Sequence, residues 1–310
     1  DVAPSRGLGD VYKRQKLGGS PMKGLVLSIT AGQGHNQTAM VISKRFNECG
    51  VECKYLDVYK FINPILSDSV NKIYLMSTKA IPKIYGGVYR MCEKRGVQSG
   101  AGIHGLNRIT NSVLSRSLIK LIQKEKPDFI ICTHIFAALL VTYISSIERL
   151  NAKTIGVITD FTIHPYWEDS LLDYYIIANE RLTIQGIKKG FPENKFLPLG
   201  IPIGTKFSRK IEKSKAKEIL NLHSKHTILV MSGSMGFGAV YKEIEELDKL
   251  DMDFEIVSVS GNNKKLKTKI DSMETRKKIY SYGYINNVDV FMDACDCIIT
   301  CLLYTSPSPR

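Results

Sequence analysis

The stretch Leu25-Val-Leu-Ser-Ile-Thr30, followed at once by Ala31-Gly32-Gln33-Gly34-His35-Asn36, decides the fold. A short apolar run halted by two closely spaced glycines reads as a buried strand entering a tight turn. Ala39 to Cys49 then has helical periodicity and stops at Gly50, and Val51 to Val58 resumes as a strand. A strand, a glycine-rich loop, a helix and a second strand predict a parallel sheet with helices on its faces.

The same alternation continues outward. Leu118 to Lys124 reads as helix, and Phe129 to Cys132, Thr154 to Thr159 and Tyr174 to Ala178 as buried strands, so a doubly wound first domain is expected over residues 22–200. Phe196 to Phe207, FLPLGIPIGTKF, has linker composition. The pattern restarts after a helix at Ser214–Leu220. A strand is expected at Thr227–Ser232, a glycine-rich loop at Gly233–Gly238 and a helix at Ala239–Leu250. Further strands follow at Phe254–Val259, Lys278–Tyr280 and Cys297–Ile299. The expected fold class is therefore α/β, with a second Rossmann-like unit over 201–300 that is incomplete as written. Phe129 to Ile147 is apolar, but Thr133-His134 interrupts it, so it reads as strand, turn and helix rather than a membrane span.

Both termini stand apart. The runs Ser5–Gln15 and Cys301–Arg310 can be encoded by one DNA element in opposite orientations, so residues 1–21 and 301–310 are expected to lie outside the native fold. The natural start is expected at Met22. Formal charge is +13, and omitting five basic and two acidic terminal residues leaves +10. A balance this basic favours anionic partners. The cysteines form only a lone C-x3-C (Cys49, Cys53) and a lone C-x-C (Cys295, Cys297), without zinc spacing. No metal site is expected.

Four segments could carry chemistry. In the first loop the glycines allow backbone N–H groups to approach a ligand, and His35 opens the helix at the same mouth. Such a histidine can take a proton from a hydroxyl; on spacing alone it reads equally as a surface residue. Thr159–Trp167, TDFTIHPYW, places Asp160, His164 and the single tryptophan directly after a strand, where ligands of open α/β sheets bind. There Trp167 is either a stacking platform or a core aromatic. Ser232–Gly238, SGSMGFG, reads as a phosphate cradle or an ordinary strand-to-helix turn. Ile81 to Lys120 sets Lys83, Arg90, Lys94, Arg95, Arg108, Arg116 and Lys120 against Glu93 alone, with Tyr85 and Tyr89 interleaved. That composition suits an anionic lipid surface, equally a nucleic acid backbone, or a solvated helix pair. No nucleic-acid-binding module accompanies it.

The order of the motifs is more specific than any one of them. G-x-G-H-x-x-x-A is followed by P-D-x-I-I-x-T-H (Pro127–His134), T-D-F-x-x-H-P-x-W (Thr159–Trp167) and G-I-P-I…F (Gly200–Phe207). S-G-S-M-G-x-G, G-N-N (Gly261–Asn263) and G-Y-I-N-N (Gly283–Asn287) complete the series. This series resembles the bacterial processive diacylglycerol glucosyltransferases and plant monogalactosyldiacylglycerol synthases, and more distantly the peptidoglycan enzyme that glycosylates a lipid-linked muramyl precursor.

The resemblance implies a GT-B fold, two Rossmann-like domains facing a cleft, and inverting hexose transfer from UDP-glucose or UDP-galactose to a diacylglycerol-type acceptor. It implies no cofactor or bound metal, no nucleic-acid partner, and a cytoplasmic enzyme held peripherally on the inner face of the cell membrane. By position, His35 is the expected base and Asp160 its rival. Gly32, Gly34, Asn36, His134, His164 and Trp167 would meet the acceptor. Gly233, Ser234, Met235, Gly236, Gly238, Tyr284 and Ile285 would meet the donor, and Lys83, Tyr85, Tyr89, Arg90, Lys94 and Arg95 the membrane. Two departures stand out. Thr30 occupies the place where some plant relatives carry an acid, and the Gly-Gly-x-[ST]…E donor segment is absent after Thr300, so turnover by the sequence as written is not expected. A GT-B enzyme using another lipid-linked acceptor, or a soluble UDP-sugar 2-epimerase, are the alternatives.

Overall fold

The computed structural model describes residues 21–30, 34–62, 115–223, 226–231 and 239–300. The chain divides into two compact units at Pro202 and Ile203.

The first unit is built on a six-stranded sheet of order β2-β1-β3-β4-β5-β6. Its strands are β1 (Lys23–Ser28), β2 (Glu52–Asp57), β3 (Phe129–Cys132), β4 (Lys153–Val157), β5 (Tyr174–Ile176) and β6 (Phe196–Leu197). All pairings are parallel. Leu25 and Leu27 pack with Ile130, Cys132, Leu140 and Ile144 on one face, while Val26 packs with Ala39, Ile42, Phe129 and Ile131 on the other. A strand covered on both faces must be apolar throughout, which is why this run lacks polar alternation. The sequence linker begins later than its composition suggested. Phe196 is buried and pairs with Tyr175, so it belongs to the sheet.

From β1 the chain crosses to β2 on one side, whereas β3 to β6 extend on the other. The strand order thus reverses at β1, and such a switch point is where open α/β sheets receive ligands. The close approach of β1 to β3 depends on Gly24. A Cβ there would lie 2.3 Å from Cζ of Phe129. Gly24→Val is thus expected to destabilise the first unit by about 1–3 kcal/mol, read as a lowered denaturation midpoint. Trimming the ring in Gly24→Val/Phe129→Leu should recover part of it, and equal midpoints for wild type and Gly24→Val would contradict this packing.

Phe129–Ile147 resolves into β3, a bend at Thr133-His134 and the helix Ile135–Ile147. Among the described residues, no helix is long and apolar enough to cross a membrane.

The second unit carries a four-stranded sheet of order β10-β7-β8-β9. Its strands are β7 (Thr227–Met231), β8 (Glu255–Val259), β9 (Ile279–Tyr282) and β10 (Cys297–Thr300), again paired in parallel. Helices Val240–Asp248 and Lys264–Asp271 cover one face through Val240, Ile244 and Ile270. Helices Lys213–Ile219 and Val288–Ala294 cover the other through Ala216, Phe291 and Ala294.

Candidate active site

The C-terminal ends of β1, β3 and β4 bring His35, Thr133 and Thr159 together. His35 sits in the first turn of the helix Gly34–Glu48. Its Nδ1 lies 2.9 Å from the Thr133 carbonyl oxygen and 3.0 Å from Thr159 Oγ1. The Thr133 hydroxyl donates back to the His35 carbonyl at 3.0 Å. A carbonyl can only accept, so His35 Nδ1 carries the hydrogen and Nε2 holds the lone pair of the neutral ring. Burial lowers the His35 pKa below 6.5, and the Thr133 bond opposes this by favouring the protonated ring. The result is an imidazole that is neutral near pH 7, oriented from behind, and stabilised by a carbonyl once it takes a proton.

Two further histidines follow, His134 beside it and His164 near His134. His134 caps the helix Ile135–Ile147, its Nδ1 accepting from Phe136 N at 3.2 Å. Its ring meets His35 edge to face with centroids 4.7 Å apart. Burial, and then the proximity of His35 and His164, hold its pKa well below the ordinary value. His164 caps the 3₁₀ turn Pro165–Asp169 in the same manner, through Tyr166 N at 3.2 Å. Burial, helped by Lys189, pushes it down to about 4. Asp160 follows Thr159 and is pushed up to about 6 by burial alone.

Asn36 turns the other way, over β1 and β2. Its Nδ2 donates to Thr30 Oγ1 at 2.7 Å, and the Thr30 hydroxyl donates to Asp57, whose other oxygen caps Lys60 N at 3.1 Å. The polarity of this chain is forced. A carboxylate only accepts, so Thr30 donates to it and must accept from the amide. Among the described residues, that leaves Asn36 Oδ1, buried, as an acceptor without a hydrogen-bond partner. Thr30 thus carries no charge of its own but joins this mouth to the Asp57 carboxylate.

Trp167 departs from its expected place at the acceptor. It is 3 % exposed in the core and meets Tyr175 edge-on, 6.2 Å between centroids. Gly156 opens the slot, since a Cβ there would lie 2.9 Å from the indole. No ring face is left for a sugar. Gly34 is exposed, and among the described residues a Cβ on it would meet nothing within 4 Å. In the second unit Tyr284 is exposed, whereas Ile285 packs partly against the core. Gly32, Gly233, Ser234, Met235, Gly236, Gly238, Lys83, Tyr85, Tyr89, Arg90, Lys94 and Arg95 lie outside the described residues. Among the described residues, no group of three or more His, Cys, Asp or Glu is placed to hold a metal ion. Thr133, Thr159 and Asp57 were missed as site residues, although each sits at or just beyond the end of a strand, the position that could have flagged them.

Residues 35–203, from the site histidine to one residue past the first unit, match the family described as monogalactosyldiacylglycerol (MGDG) synthase. The chain belongs to the MGDG synthase family. A processive diacylglycerol beta-glucosyltransferase of Bacillus pumilus (strain SAFR-032) is 28% identical over 288 residues, covering 89% of this chain and 71% of the relative. Among solved structures, Acinetobacter baumannii MurG superimposes with a TM-score of 0.54 at 13% identity, covering 90% of this chain and 71% of that one. Anabaena Alr3699/HepE in complex with UDP gives 0.53 at 12%, covering 89% and 73%. The fold is of the GT-B class, and membership of the MGDG synthase family makes the protein a glycosyltransferase.

Proposed function

We propose that the protein transfers a hexose from a UDP-sugar to the free hydroxyl of a diacylglycerol or glycosyl-diacylglycerol, with inversion, at an anionic membrane surface. The observation that carries this reading is His35, neutral and held from behind by Thr133 and Thr159 at the switch point of the first sheet. The acceptor oxygen bonds to the anomeric carbon, the bond from that carbon to the UDP oxygen breaks, and the acceptor proton passes to His35 Nε2. UDP departs with the electron pair. Asp160 follows Thr159 just beyond the end of β4 and is the rival base.

The beta-glucosyltransferase relatives support inversion, because a β-linked product from an α-linked UDP-sugar requires it. The UDP-bound neighbour supports the fold's capacity for such a donor. The surplus of seven basic residues over one acid in Ile81–Lys120 supports contact with anionic lipid. In this reading no metal or cofactor takes part, nucleic acid is not a partner, and the enzyme works peripherally on the cytoplasmic face, where UDP-sugars are made.

The test incubates the enzyme, carrying the Gly-Gly-x-[ST]…E donor segment that the sequence as written lacks, with radiolabelled UDP-glucose or UDP-galactose and vesicles of phosphatidylglycerol and phosphatidylcholine containing diacylglycerol. A β-linked glycolipid, formed faster as phosphatidylglycerol increases, is the expected product. Conversion of the UDP-sugar into its epimer with no labelled lipid would instead establish the soluble alternative.

A further inference from the structure

The helix Arg181–Lys188 has two unlike faces. Inward, Leu182 and Gly186 are buried, and the Phe196 ring packs where Gly186 has no Cβ. Beside that stripe Gln185 reaches the loop after Asp160. Its Oε1 accepts from Ile163 N at 2.8 Å, and its Nε2 donates to Thr162 Oγ1 at 2.9 Å. Lys189, one residue past the helix, donates to Glu168 at 2.6 Å on the 3₁₀ turn that follows His164. The helix thus holds the loop that carries Asp160 and His164 at two points.

The outward face carries Ile184, 60 % exposed, and Ile187, 44 % exposed. Positions three apart lie side by side on a helix. Arg181 and Lys188 are exposed as well. At 3.6 residues per turn all four fall within one arc of about 120°, the isoleucines toward one side and the cations toward the other. Over residues 179–195 four basic residues stand against two acids, Glu180 and Glu193, so the patch is net positive. Apolar side chains edged by cations suit a bilayer surface, where the former sink to the acyl boundary and the latter reach the headgroups. A second copy docked on the same face would set cations against cations. Resting on the function proposed above, we propose that the outer face of Arg181–Lys188 is a contact surface for anionic lipid, distinct from Ile81–Lys120. Because the inner side of the same helix holds the Asp160–His164 loop, lipid contact here fixes that loop relative to the membrane.

The experiment measures co-sedimentation of the full chain with vesicles of phosphatidylglycerol and phosphatidylcholine, and needs no donor sugar. Ile184→Ser/Ile187→Ser is expected to bind roughly tenfold more weakly than wild type, with nearly the same Tm because both side chains are exposed. Arg181→Gln/Lys188→Gln should weaken binding by roughly fivefold for each cation removed, and only where phosphatidylglycerol is present. Ile147→Ser, which removes an exposed isoleucine from another helix, should bind as wild type does. Should the serine pair fail to fold, the glutamine pair decides. Wild-type affinity in both pairs, or an equal loss in Ile147→Ser, overturns the inference and leaves lipid contact to another surface. Concentration-dependent self-association without vesicles, abolished in the serine pair, overturns it in favour of a second copy. Absence of wild-type binding to phosphatidylglycerol vesicles removes the membrane part of the proposed function, and this inference with it.

Discussion

His35→Ala is expected to lower kcat for glycosyl transfer by about 10²–10⁴-fold, the contribution typical of a positioned general base. The donor KM should change little, because the ring acts on the acceptor proton. The fold should survive: His35 is only half-buried, and the neighbouring Thr133 N–H to Leu27 carbonyl bond of 3.0 Å does not involve its side chain. Steady-state rates on diacylglycerol vesicles check this, with the melting curve as control. A rate near that of wild type would leave His35 as a structural link between β1 and β3 and pass the proton to Asp160.

Asp160→Asn is expected to separate activity from stability. With the carboxyl at about 6, ionised Asp160 should dominate above that pH, and kcat/KM should fall as pH drops through about 6. In the Asn variant that inflection should vanish, with the rate at pH 7 lowered by roughly 10²-fold. Stability runs the other way. Burial raises this carboxyl above its ordinary 3.8, so the folded chain binds the proton more tightly than the unfolded chain. Stability from this group therefore falls as pH rises from about 4 to about 6, and the full penalty stands above that. Asp160→Asn should accordingly be more stable than wild type by roughly 1–2 kcal/mol at pH 7, and no different below pH ~4. His164, pushed down to about 4, favours stability as pH rises from about 4 to 6.5. It is common to both proteins, so the difference isolates Asp160. Equal midpoints at pH 7 would show that the carboxylate is well solvated after all.

Much of the first unit was legible because β1 is apolar on both faces and its loop carries the glycines of a tight turn. Periodicity also separated β3 from the helix after His134 and gave the strand-loop-helix restart of the second unit. The relation of Thr30 to Asp57 was not legible. It depends on the β1–β2 register, which sets Ser28 beside Asp57 and so joins residues 27 apart in sequence. The orientation of His35 was likewise hidden, because Thr133 and Thr159 lie about a hundred residues away and meet it only through strand order. Trp167 shows a different limit. Sequence gives an aromatic after a strand, but the absent side chain of Gly156 decides that the indole turns inward.

That inward turn gives the molecule an internal optical probe. The chain has one tryptophan, and it is sealed in the first unit against Tyr175. Its emission is therefore a local signal, reporting solvent entry into that core and silent about the second sheet. Circular dichroism sums over both units. Recorded together during denaturation, the two signals distinguish concerted from sequential melting without any label being attached.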